Sequence, residues 1–173
     1  MDVFEAIENR RSVRSYTSDA VSAKEIKALI DAARQAPSAG NIQPWEFIIV
    51  TDPETKEKLS AAALDQKFIE AAPVVIVVCA DENRSSQRYG SRGANLYCLQ
   101  DTAAAVQNML LAACGMGLGA CWIGAFNEEM ARRIMKTPND VRPVAIVPVG
   151  HPAGTPRAPP KRPIGKIVHY ESF

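Results

Sequence analysis

Apolar positions along the chain follow two periods, one helical and one extended, and the switches between them mark out the elements. Val3, Phe4 and Ile7 recur at helical spacing and predict a short first helix ending near Arg10. Ser22 and Glu25 form an S-x-x-E capping box, after which Ile26, Leu29, Ile30 and Ala33 trace one apolar helical face as far as Pro37. EFIIVT at 46–51 reads as a strand, and Asp52-Pro53 as the cap and first turn of a helix carrying Leu59, Ala62 and Ala63. The run PVVIVVCA at 73–80 is apolar throughout and rich in β-branched residues, as expected of a central strand covered on both faces.

The polar stretch DENRSSQRYGSRG at 81–93 then predicts a long exposed loop, and the next helix begins between Ala94 and Asp101. Thr102 to Phe126 holds no charged residue, a length that would on paper cross a bilayer. Gln107, Asn108 and the glycines at 115, 117, 119 and 124 argue instead for a buried helix followed by a tight glycine-rich turn. A helix apolar on nearly all sides needs cover on all sides, and in so short a chain a second subunit is a natural source of it. Asn127-Glu-Glu opens a further helix that closes on Arg132, Arg133 and Lys136, matching the helix dipole at both ends. PVAIVPVG at 143–150 is a strand; HPAGTPRAPPKRP at 151–163 is too proline-rich for regular structure, and IVHYESF at 167–173 fits an edge strand. Strands separated by helices predict one layered α/β or α+β domain over 1–173. The 151–173 arm is suited to reaching a partner subunit.

Composition narrows the function. A net charge of +1 gives no general attraction to nucleic acid or an anionic membrane, so anion binding must be local. Cysteines at 79, 98, 114 and 121 form no CxxC pair, and with only His151 and His169 to help, no metal site is expected. Cysteines in apolar runs and an N-terminus without a signal-peptide pattern point to a reducing, cytoplasmic setting.

The most tempting motif, GMGLGA at 115–120, fits G-x-G-x-x-A, but it follows a helix, whereas a dinucleotide fingerprint follows a strand and opens a helix. Its glycines read better as a helix end that allows close backbone packing. No G-x-S-x-G or paired carboxylates support hydrolytic chemistry. What remains is distributed: Arg10, Arg11, Ser12 and Arg14 crowd one helix end, and Lys161-Arg162 add charge near the other end of the chain. Together they suit a phosphate, which arginine meets in a bidentate manner. PSAGNIQPW at 37–45 contributes Asn and Gln, able to donate and accept at a heteroaromatic edge, while Trp45 is either core or a stacking platform.

ENRRSVRSY at 8–16, APSAGNIQPWEF at 36–47, GMGLGACWIGAF at 115–126 and PKRP at 160–163, in that order, resemble the nitroreductase family of FMN-dependent oxidoreductases over essentially the whole chain. DTAAAVQNMLLAA at 101–113 is similar to the family's long central helix at a dimer interface. The resemblance implies an α+β three-layer sandwich with a mixed central β-sheet flanked by helices, in an intertwined homodimer. It further implies that Arg10 and Ser12, with Arg11 beside them, contact the FMN phosphate and ribityl chain, and that Arg14 lies near the N1 side of the flavin ring. Ser38, Ala39 and Asn41 correspond to a loop contributed by the partner subunit, Ile123 and Gly124 to a turn whose amide points at flavin N5, and Lys161 or Arg162 to a further phosphate contact. The implied activity passes hydride from NADH or NADPH through the flavin to an acceptor such as a nitroaromatic or quinone, with no catalytic side chain required. A non-enzymatic flavin-binding or regulatory homodimer, or a specialised flavin reaction such as reductive dehalogenation, would use the same binding residues.

Overall fold

The β-branched run at 73–80 becomes the middle of the sheet. In this computed structural model, which describes residues 1–173, β2 (Val74–Asp81) pairs antiparallel with β1 (Trp45–Val50) on one side and β4 (Val141–Gly150) on the other. The short β3 (Gly119–Ala120) pairs with β4, giving the order β1-β2-β4-β3.

Alternation along β2 divides two cores. Val74, Ile76 and Val78 pack with Leu29 and Ala33 of α2 (Ala23–Ala33) and with Val106 and Met109 of α6 (Cys98–Gly115). Val75, Val77 and Cys79 face the opposite layer, with Leu59 of α3 (Pro53–Ala62), Ile69 of α4 (Phe68–Ala71), and Ile134 and Met135 of α7 (Glu128–Met135). Each fully buried Val or Ile contributes roughly 1.5–3 kcal/mol of apolar burial, so this strand anchors both layers. The result is the expected α+β three-layer sandwich. Caps fall where the sequence places them: Ser22 and Glu25 close a capping box on α2, Asp52 accepts from Thr55 N, and Asn127 accepts from Met130 N. No helix is long and apolar enough to cross a membrane.

Three expectations are corrected. Residues 81–93 are not a loop but mostly α5 (Glu82–Arg92), capped by Asp81 and running through a π-helical turn, Gly93–Tyr97, into α6. This helix buries only Ser85, so its sequence carries no apolar stripe to betray it. IVHYESF forms no strand; a 3₁₀ turn at Ile164–Lys166 leads into exposed residues. The sheet accordingly lacks a parallel member and is antiparallel throughout, the parallel pairing being an isolated bridge between Ser12 and Ala120.

That bridge explains the glycine-rich turn. Gly117, at φ 75°, ends α6 with Leu118 N donating to Ala113 O at 2.8 Å. A Cβ on Gly119 would stand 2.6–2.9 Å from the Val13 side chain, so only glycine lets the segment after α1 (Val3–Asn9) lie against β3. Gly119→Ala is therefore expected to lower stability by about 1–3 kcal/mol through overpacking. Gly115→Ala, whose added methyl meets nothing within 4 Å, is expected to be neutral or slightly stabilising. Urea unfolding checks both; equal stabilities for the two variants would contradict the packing argument.

Candidate functional site

Arg10 to Tyr16 leave α1 as an extended segment held on β3, with Val13 N donating to Ala120 O at 3.0 Å. Tyr16 Oη donates to Val13 O at 2.7 Å and lies 3.3 Å from Pro148 O, fixing the segment against β4 as well. The proline-rich arm then returns alongside it: Thr17 N donates to His151 O at 2.9 Å and Ala153 N to Ser15 O at 3.0 Å.

Between segment and arm lies an open cavity of about 600 Å³ lined by Glu8, Arg10, Arg11, Ser12, Arg14, Arg157 and Lys161, among others. None of these cations is in an ion pair. Arg11 turns back onto the end of α1, donating to Glu8 O and, at 2.9 Å, to Arg10 O, so it also serves as a helix cap. Lys161 faces the cavity, whereas Arg162 is not part of its lining and donates to Lys166 O at 3.1 Å. Arg157, four residues before Lys161 in the same proline-rich arm, also lines the cavity, and no motif in the sequence singles it out.

Arg14 extends the positive surface, its guanidinium 5.8 Å from the centroid of the Phe68 ring. The Cys121 thiol nearby is pushed up by burial against the opposing pull of Arg14, and burial likewise raises the Tyr16 phenol. Both groups stay protonated at neutral pH. Ile123 is buried and exchanges two backbone bonds with Ile146, of 2.9 and 3.0 Å, which leaves Gly124 exposed with an N–H that donates to nothing within the chain. Gln66 Nε2 reaches this turn, at 3.3 Å from Ala125 O, while Leu64 and Asp65 take φ values of 60° and 57° to bring it there. The 64–67 segment is thus a neighbour of the turn that no motif identifies.

The 37–45 loop is built elsewhere. Gly40, Asn41 and Gln43 take φ of 57°, 56° and 55°, Gln43 N donates to Ser38 Oγ at 3.0 Å, and Gln43 Nε2 donates to Asn41 Oδ1 at 3.2 Å. Ala39 N is held by both carboxylate oxygens of Asp101, at 3.1 and 3.2 Å. Asp101 is only 7% exposed and has no cation partner; burial raises its pKa. Its signal in the sequence is a carboxylate at the edge of an otherwise uncharged helix. Trp45 is buried in the first core, not presented as a stacking platform. Within one chain Ser38, Ala39 and Asn41 do not join the arginine cavity; Asn41 lines a separate one beside α5.

An α+β sandwich carries a cation-lined cavity at the end of its first helix, a donor set suited to an anion, and comparison places the fold. The Nitroreductase family model matches residues 7–68 and 62–151. FMN reductase (NADPH) of Bacillus subtilis is 34% identical over 185 residues, covering 99% of this chain and 74% of that protein. A putative NADH dehydrogenase/NAD(P)H nitroreductase of Methanothermobacter thermautotrophicus is 38% identical over 160 residues, covering 90% and 80%. Among solved structures, the NfrA1 nitroreductase from B. subtilis superposes with a TM-score of 0.89 at 33% identity, covering 99% of this chain and 74% of that one. A putative NADH dehydrogenase/NAD(P)H nitroreductase from Parabacteroides distasonis does so at 0.88 and 33%, covering 99% and 98%. The chain belongs to the nitroreductase family.

Asp101 offers a direct probe of the loop. Asp101→Ala leaves the Ala39 N–H without its acceptor and is expected to destabilise by about 1–3 kcal/mol. Asp101→Asn keeps an acceptor and removes a buried charge. Because the fold raises this carboxyl's pKa, its stabilising contribution is complete below the ordinary carboxylate range and is lost as pH rises through the raised value. The asparagine variant should therefore match wild type in acid and gain on it at neutral pH. Thermal unfolding across pH checks this; an asparagine variant as unstable as the alanine one at neutral pH contradicts it.

Proposed function

We propose that this protein is an FMN-dependent NAD(P)H oxidoreductase that works as a homodimer and delivers electrons to a small acceptor such as a nitroaromatic or quinone. The observation that carries this reading is the convergence of Arg10, Ser12, Arg14, Arg157 and Lys161 on one open cavity, with no ion pair satisfying their charge. That donor set fits a phosphate and its attached polyol: guanidinium and ammonium groups for the dianion, and a hydroxyl for the chain. Bound there, FMN supplies the hydride chemistry between nicotinamide and acceptor.

The protein's part is to bind, orient and bias. Arg10 and Ser12, with Lys161 and Arg157 from the arm, hold the phosphate end; Arg11 braces the end of α1. Arg14 would hold positive charge beside the flavin ring and so favour its anionic reduced form, and the free N–H of Gly124 would be a donor for a ring nitrogen. No side chain needs to act as acid or base, in keeping with Cys121 and Tyr16 being held neutral. Ser38, Ala39 and Asn41 serve the flavin of the other subunit, which accounts for their separation from the arginine cavity in a single chain. Exposed Ile164, Ile167, Val168 and Tyr170 on the arm, and Val3, Phe4 and Ile7 on α1, supply apolar surface for that partner.

Purified protein is expected to show a flavin spectrum, either as isolated or after incubation with FMN, and to bleach on anaerobic mixing with NADH or NADPH. Arg10→Ala should weaken FMN binding by about one to two orders of magnitude, the loss of one charge-assisted contact. Trp45→Phe should lower stability with little effect on FMN affinity. A preparation that takes up no flavin, or an Arg10→Ala variant with wild-type affinity, contradicts the assignment; a flavin that binds but stays oxidised with both nucleotides contradicts the activity.

A further inference from the structure

A second group of unpaired cations lies outside the arginine cavity. Helix α5 carries Arg84 and Arg88 one turn apart, with Arg92 beyond a break at Gly90 (φ 56°), all exposed, and no ion pair includes any of them. In a chain of net charge +1 this concentration is local. Arg84 Nε donates to the Ile42 carbonyl at 2.7 Å and Arg88 Nη1 to the Gly40 carbonyl at 3.4 Å. Each bond engages one N–H of a guanidinium that has five, so most donors remain free.

Their placement is built. The Arg88 guanidinium sits 5.5 Å from the Tyr89 ring centroid, Tyr89 meets Tyr97 edge-on at 5.2 Å, and Arg92 Nε donates to Tyr97 Oη at 2.9 Å. A Cβ on Gly40 would stand 2.6 Å from Tyr89 Oη and 3.0 Å from Arg88 Cζ, so the bare glycine is what lets this corner of α5 close onto the loop. Side chains held in this way lose less conformational freedom when a ligand arrives. Between them and Asn41 lies a cavity of about 390 Å³ lined by Gly40, Asn41, Ile42, Arg84, Gln87 and Arg88.

Two free guanidinium forks at a shallow cavity recognise a dianionic phosphate monoester better than a singly charged diester. Nitroaromatics and quinones carry no phosphate, and in the proposed site the FMN phosphate already has its own cations in Arg10, Arg157 and Lys161. If the 38–41 loop faces a bound flavin, α5, which borders that loop through Arg84 and Arg88, lies at the rim of the site, within reach of the adenosine end of a dinucleotide whose ring meets the flavin. The 2′-phosphate of that adenosine is a monoester, and it is the one group that separates NADPH from NADH. We propose that Arg84, tied to the Ile42 carbonyl, and Arg88, positioned by Tyr89 and Gly40, form the subsite for the adenosine 2′-phosphate of NADPH and set a preference for it over NADH. The proposal rests on the reading that the 38–41 loop faces a bound flavin.

The test is calorimetric titration of the FMN-loaded protein with adenosine 2′,5′-bisphosphate and with adenosine 5′-monophosphate. Wild type is expected to bind the bisphosphate about tenfold tighter or more, as charge-assisted hydrogen bonds imply. Arg88→Ala is expected to remove that preference and to raise KM for NADPH more than KM for NADH, with kcat for NADPH little changed. Arg133→Ala, which removes an exposed cation of α7 paired with Glu129, should keep the preference. Equal affinity of wild type for the two probes, or a preference that survives Arg88→Ala, overturns the proposal alone, provided the protein holds FMN and either nucleotide bleaches it. Protein that holds no FMN overturns this proposal and the functional reading beneath it together.

Discussion

The close approach of Val13 to Gly119 is the contact on which the rest of the site depends. The chain leaves α1 with a run of cations that repel one another and have no acidic partners to gather them. What gathers them is backbone: Ser12 bridges Ala120, and Val13 N binds Ala120 O. That pairing is sterically open only because residue 119 has no side chain. Ser15 to Thr17 then tie the proline-rich arm alongside, which brings Arg157 and Lys161 to the same cavity. Charges assembled by apolar packing and main-chain hydrogen bonds are free to be satisfied by a ligand, which is the usual arrangement of a preorganised anion site.

The same logic recurs at the 37–45 loop. Its strained residues are held by Asp101 through Ala39 and by Ser38 through Gln43, so the loop's shape is paid for inside its own subunit. Its outward groups, Asn41 above all, are then available to something outside the subunit. In the proposed dimer, the cationic cavity and this loop of mixed donors and acceptors would be contributed by different chains. α5 lies against the loop and adds the arginines that give it electrostatic character of its own.

Much of this was legible in the sequence. The cap residues Ser22, Asp52 and Asn127, the apolar run of β2, and the clustering of Arg10, Arg11, Ser12 and Arg14 all depend on local chemistry that neighbouring residues declare, whereas Lys161 joins them in the sequence only through the family resemblance. The glycines of 115–120 were read as a helix end with close packing, and that is their role, although the residue they pack against, Val13, lies too far along the chain to be inferred. Helix α5 was missed because a helix that buries one serine has no apolar period to detect. Asp101 and Arg157 were missed because each acts on a segment distant in sequence. Ile167, Val168, Tyr170 and Phe173 suit a strand by composition, but a strand forms only where a sheet edge receives it, and this chain's own sheet does not.

The central claim is that the cation cavity of one subunit and the 38–41 loop of another hold a single FMN. A crystal structure of the flavin-loaded protein tests it most directly. A dimer is expected, with the phosphate within hydrogen-bonding reach of Arg10 and Ser12, and with Ser38 and Asn41 of the second chain beside the same flavin. A flavin whose phosphate lies away from Arg10 and Ser12, or one enclosed wholly by a single chain, would contradict it.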